Sequence, residues 1–147
     1  MKKTKETTTK ETYNKAIIRK IIKTFFPPFF ILVIHTLLSY VDAYHIYDWV
    51  DIPMHFFGGV SVGIMYTLII KELQASKHIN YLRPTFYFVI VLSLVGTTAV
   101  GWELYEFIWD FFFHIGGQPS LADTMIDMIL GLVGGVCGFL YTISKRI

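Results

Sequence analysis

Carboxylates gather in this chain where no positive side chain stands beside them. Asp51 and His55 are four residues apart, Glu103, Glu106 and Asp110 follow a three-then-four spacing, and Asp123 and Asp127 are again four apart. On a helix, positions three or four apart share a face, so each set makes one polar stripe. Two Glu, up to three Asp and one imidazole form an oxygen-rich ligand set that suits Mg²⁺, Mn²⁺, Fe²⁺ or Zn²⁺. Such a set is large enough for two ions, as in carboxylate-bridged sites inside helical bundles. The expected metal ligands are Asp51, His55, Glu103, Glu106, Asp123 and Asp127. Asp110 is expected behind them or facing a substrate, and Thr124 either bonds a carboxylate of the cluster or caps its helix.

The elements that position these residues are apolar. A chain of 147 residues that is 54% hydrophobic and 17% aromatic, with a mean hydropathy of +0.52, cannot bury that much apolar side chain in one small water-soluble fold. Stretches 27–44, 51–70, 85–113 and 121–143 each approach or exceed the roughly 20 helical residues that cross a hydrocarbon core. The sequence therefore predicts an all-α integral membrane protein, a four-transmembrane-helix bundle of one domain without internal repeat. At 1.5 Å per residue, Asp127 lies roughly 9 Å inside the start of its span and Glu106 roughly 10 Å inside the end of its own. Three helices thus bring ionisable groups to a similar depth under one surface. Below them the same faces continue as Gly58 and Gly59, Gly96 and Ala99, and Gly131, Gly134, Gly135 and Gly138. Small residues let helix backbones approach in lipid, so these glycines read as packing rather than ligand binding.

Charge sets the expected orientation. All 13 Lys and Arg precede the first span, separate the second from the third, or end the chain. Short loops rich in Lys and Arg stay in the cytoplasm, which predicts both termini inside, a cell-membrane location, and an acidic cluster facing outward. Residues 1–12 read as a disordered basic tail. Over residues 13–25, Tyr13, Ile17, Ile21 and Phe25 recur every fourth position among basic residues, the pattern of an amphipathic helix lying on anionic lipid of the inner leaflet. No small-x-small cleavage site follows the first apolar run, so an uncleaved anchor is expected. Residues 26–147 make up the membrane domain. Tyr40, Tyr44, Tyr47, Trp49, Trp109 and Phe111 to Phe113 would form an aromatic belt at the outer interface. Asp42, His45, Asp48 and His114 read as solvated loop groups, His35 as a buried hydrogen-bonded neutral histidine, and the lone Cys137 as a small core residue. A single cysteine also excludes an internal disulfide and a multi-cysteine metal cluster.

Converging carboxylates demand neutralisation. One Asp at mid-helix costs ~3 kcal/mol on insertion scales, and several without a basic partner cannot all remain ionised and dry. They bind a cation, keep protons, or admit water. A divalent metal leads to a metal-assisted hydrolase or transferase acting on a lipid-linked or headgroup substrate, with Glu106 or Asp127 as general base. A second class is a carrier or channel component passing protons or cations, which with four short helices requires a homo-oligomer; the apolar inner halves favour a one-sided pocket instead. A third is a scaffold whose polar core only fixes helix packing. HExxH is absent from the sequence, which argues against zincin proteases, and no Ser–His pairing points to serine acyl transfer. No Arg or Lys stands in the outer half to clamp a phosphate, so phosphate chemistry would rest on the metal. Nucleic-acid binding has no support, because the basic residues lie where anionic lipid is the simpler partner.

The runs DIPMHFFGGVSVG, WELYEFIWD and DTMIDMILGLVGG resemble the YjdF-like family of inner-membrane proteins, with VanZ-like proteins as more distant kin. The resemblance spans about residues 48–140 and rests on Asp51 and His55, Glu103 and Glu106, and Asp123, Thr124 and Asp127. It implies a bacterial-type cytoplasmic membrane location and carries no activity, the family's function being unknown.

Overall fold

A computed structural model describes residues 2–113 and 120–145. The described backbone is helical: α1 Lys2–Thr24, α2 Phe26–Tyr40, α3 Ala43–Ile46, a 3₁₀ turn Asp48–Val50, α4 Asp51–Ala75, α5 Pro84–Phe113 and α6 Leu121–Ser144. Four helical segments are long and apolar enough to cross a membrane: Tyr13–Tyr40, Asp51–Ala75, Pro84–Phe113 and Leu121–Ser144.

The first of these is two helices joined at Phe25. Pro27 and Pro28 offer no amide to the carbonyls one turn earlier, so the ladder cannot run through them. Phe25 N–H turns to Ile22 O at 3.1 Å, Phe29 N–H reaches Phe25 O at 3.0 Å, and the Thr24 hydroxyl caps Ile21 O at 2.7 Å. The helix begins at Lys2, so the polar stretch expected to lack structure is helical here. Ile17 and Thr24 are buried, whereas Tyr13 and Phe25 are exposed. Lys20 Nζ meets Glu72 Oε1 at 3.0 Å and ties α1 to the last turns of α4.

Local chemistry closes the remaining ends. Asp42, at φ 59°, turns the chain out of α2, a left-handed conformation Asp tolerates better than most residues. Its carboxylate Oδ1 lies 2.6 Å from His45 Nδ1. At the far end of α4, Lys77 takes φ 60° while Lys77 N–H bonds Gln74 O and His78 N–H bonds Leu73 O. That pair of bonds is a Schellman stop with Lys where Gly is usual. Ser120 caps α6, its hydroxyl accepting from Asp123 N–H at 3.1 Å, a favourable first turn for the Asp123 carboxylate as well.

Packing is tightest between α4 and α6, and glycine makes it so. A Cβ added at Gly59 would stand 2.0 Å from Gly131 O, one at Gly63 2.5 Å from Gly135 O, and one at Gly138 2.3 Å from Val60 O. The two backbones touch, as small residues allow where lipid supplies no hydrophobic drive to association. α5 seals this pair through Val95, whose methyls lie against Gly135. The apolar core of Ile70, Val91, Val95 and Phe139 lies in the half of the bundle that carries the Lys and Arg residues. Most other large apolar side chains, among them Phe29, Phe30, Phe86, Phe107 and Ile129, are exposed, the surface a hydrocarbon solvent requires. Cys137 belongs to that exposed set, not to the core as expected: its neighbours Gly134, Gly135 and Gly138 take the α4-facing side of the helix and leave it pointing away.

Candidate functional site

At the other end of α4, α5 and α6 the bundle interior is polar. Helix α4 starts directly from the 3₁₀ turn, with Asp51 in its first turn and Pro53 in a position that needs no amide donor. One turn later His55 points between α5 and α6. Its Nε2 lies 3.2 Å from Asp51 Oδ1 and 4.0 Å from Asp127 Oδ2, and its Nδ1 lies 3.8 Å from Glu103 Oε1. Glu103 and Asp127 are buried, at 6% and 4% exposure, so these are carboxylates removed from bulk water, not rim groups.

Two overlapping ligand groups result, Asp51–His55–Asp127 and His55–Glu103–Glu106, each with its nitrogen and oxygen atoms within 4.8 Å of one another. Ligands held at about 2.1 Å from an ion stand at most about 4.2 Å apart. The 3.2 and 4.0 Å separations at His55 Nε2 and the 3.8 Å separation at its Nδ1 fall within that limit. The donor set fits a hard or borderline divalent ion, and His55 is shared.

Of the expected ligands, Asp51, His55, Glu103, Glu106 and Asp127 come together, while Asp123 belongs to neither group. It sits in the capped first turn of α6, one turn further out than Asp127. Asp110, one turn beyond Glu106, also belongs to neither. The Thr124 hydroxyl bonds Ser120 O at 3.3 Å, so of its two readings the helix start is the one taken. Asp42 and His45 pair with each other at the exposed turn. His114 lies outside the described residues.

Two aromatic residues enter the site without having been expected there. Trp102 Nε1–H donates to Glu106 Oε1 at 2.8 Å, fixing that carboxylate from one turn back on α5. His35, expected to be buried, is only half-buried but hydrogen-bonded: its Nδ1 lies 2.7 Å from the Tyr44 hydroxyl, and it stands edge-on to Trp102 at 4.9 Å between ring centroids. Tyr44 thus faces the site instead of an outer belt. Burial pushes its phenol above the usual range, and the charges of Asp51 and Glu106 add to that, so Tyr44 stays a neutral hydrogen-bonding group. The i, i+4 spacing of Trp102 and Glu106 was a signal in the sequence; Tyr44 had none, because only the turn at Asp42 brings it back toward His35.

Beneath the cluster, between α2, α4 and α5, is a cavity of about 240 Å³ reached by His35, Asp51, His55 and Trp102 from its polar end.

A family model described as "Predicted membrane protein (DUF2238)" matches residues 11–146. This agrees with a resemblance to YjdF-like membrane proteins of unknown function and says nothing about VanZ-like kinship. No curated protein and no solved structure matches the chain.

Proposed function

The chain belongs to the DUF2238 family of predicted membrane proteins, and from that premise we propose that its His55-centred cluster is a divalent-metal site of a membrane-embedded hydrolase or transferase acting on a lipid-like substrate. The observation that carries the reading is the meeting of Asp51, His55, Glu103, Glu106 and Asp127 from three helices in two groups of metal-binding span. The metal, one of Mn²⁺, Zn²⁺, Mg²⁺ or Fe²⁺, would supply a Lewis acid and neutralise the buried carboxylates. Asp51, His55, Glu103, Glu106 and Asp127 would hold it, and Asp123 stays at the rim. Glu106, oriented by Trp102, is the better placed of the two expected bases, with Asp127 the other; either takes a proton from the attacking water. The distribution of Lys and Arg supports a reading in which both termini are cytoplasmic and the cluster opens to the opposite face of the cell membrane. Anionic lipid of the inner leaflet would hold α1 through its basic residues.

Full-length protein in vesicles of phosphatidylethanolamine and phosphatidylglycerol, with products followed by lipid mass spectrometry, tests the activity. Turnover that chelator abolishes, Mn²⁺ or Zn²⁺ restores, and Glu106→Gln removes would support the enzyme. Turnover indifferent to chelator would overturn the metal mechanism.

A second reading draws on the 3.2 Å approach of His55 to Asp51. There the imidazole shares protons with the surrounding carboxylates, in a self-associated cation carrier or a non-catalytic scaffold. Proton release on metal addition separates the two, because ligands must shed protons to bind.

A further inference from the structure

The cavity beneath the cluster has a chemistry of its own. Its walls are Ile31 and Leu32 of α2, Met54 and Val62 of α4, and Val95 and Ala99 of α5. Along α4 it runs from Asp51 to Val62, roughly 16 Å at helical rise, and it follows the helix axis from the polar end toward mid-bundle. Ser61 and Thr98 also line it, but their hydroxyls donate to Gly58 O and Leu94 O, so the walls fall short of the two to four polar partners that a settled water needs. At about 240 Å³ the space falls below the ~300–1,000 Å³ of sites for bulky ligands, which suits a slim chain over a ring system.

Gly58 gives an independent reason to regard the space as kept open. A Cβ on Gly58 would meet nothing within 4 Å, although one on its neighbour Gly59 would strike Gly131 O at 2.0 Å. Helix packing therefore accounts for Gly59 and not for Gly58. A glycine inside a helix costs about 1 kcal/mol relative to alanine, and what Gly58 leaves in return is cavity volume, since it lines the space. The α2 wall is the outer one: α2 carries no buried residue, so it stands between the cavity and the surrounding hydrocarbon.

We propose that this cavity seats one hydrocarbon tail of a membrane lipid whose headgroup lies against the His55 cluster. The proposal rests on the reading of that cluster as a metal site for a lipid-like substrate and supplies what that reading lacks, a place for the substrate's apolar part. Apolar walls take the chain, and the polar end formed by Asp51, His55, His35 and Trp102 meets the head. A divalent ion held by Asp51, His55, Glu103, Glu106 and Asp127 would supply the positive charge that an anionic headgroup needs there.

The test uses phosphatidylglycerol carrying a diazirine near the end of one acyl chain, in vesicles with the full-length protein, and maps photolabelled residues by mass spectrometry. Labels are expected at Met54, Thr98 and Ala99 as well as on outward-facing Phe57 and Phe107. In Gly58→Phe the cavity labels should fall about fivefold or more against the outward ones, while Gly58→Ala keeps them. Should Gly58→Phe fail to elute as folded protein, Leu32→Trp fills the space from the other wall and takes its place. Cavity labels unchanged by filling, or labels confined to outward positions, would overturn the proposal. Metal content measured on the same samples keeps the two ideas apart. Metal retained without cavity labels removes the tail site alone, whereas cavity labels without metal leave the tail site standing and remove the metal reading.

Discussion

His55 is the residue on which the site turns, because it is the one member of both ligand groups and presents a nitrogen to each. Its spacing from Asp51 was visible in the sequence, as were the stripes of α5 and α6. What spacing alone could not show was depth around a turn. Asp123 and Asp127 share a face, yet only Asp127 lies deep enough to reach His55, while Asp123 serves the first turn of α6 next to its Ser120 cap. Trp102 was legible only in hindsight, as a donor one turn before an acidic residue. Its indole N–H holds Glu106 in the way that outer hydrogen bonds orient metal-site carboxylates, and losing such a bond costs about 10-fold or more in metal affinity. Trp102→Phe keeps the ring and removes the donor. Calorimetric titration with Mn²⁺ or Zn²⁺ should show that weakening with the fold intact, and an unchanged affinity would take Trp102 out of the site.

At the scale of elements, the cluster exists because α4 and α6 lie backbone against backbone. Hydropathy revealed the four spans and composition revealed the glycines, but which glycine meets which partner depended on helix rotation. Gly59, Gly63, Gly131, Gly135 and Gly138 lie in the contact, whereas Gly58 and Gly101 do not. Gly59→Leu forces a side chain into the Gly131 carbonyl, and overpacking against backbone should destabilise by about 3 kcal/mol or more. Gly101→Ala meets open space and should be neutral or stabilising by up to about 1 kcal/mol through helix propensity. Thermal unfolding in detergent checks the pair; equal losses would mean that the α4–α6 contact is not what holds the bundle. Cys137 makes the same point from outside: its depth along α6 was readable, its exposed direction was not.

Over the whole molecule, two ends of opposite character are set against each other. Described Lys and Arg residues occupy α1, the end of α4, the connection from α4 to α5 and the stretch after α6, and the buried carboxylates occupy the other end. In a Cys137→Ser background, Asp42→Cys should react with a membrane-impermeant maleimide on intact cells and His78→Cys only after permeabilisation; the reverse pattern would invert the orientation. That the helix expected over residues 13–25 reaches back to Lys2 was hidden by the polar composition of the first twelve positions, whose Lys and Glu are good helix formers interrupted by Thr. The most direct measurement is the metal content of the full-length protein, purified in mild detergent without chelator and analysed by elemental mass spectrometry beside Asp123→Asn and an Asp127→Asn, Glu106→Gln double variant. About one or two equivalents of a divalent ion are predicted in the wild type and in Asp123→Asn, with loss in a double variant that still folds. Metal missing from wild-type protein after supplementation with Mn²⁺, Zn²⁺, Mg²⁺ and Fe²⁺, or retained undiminished by the double variant, would contradict the assignment of the His55 cluster as a metal site.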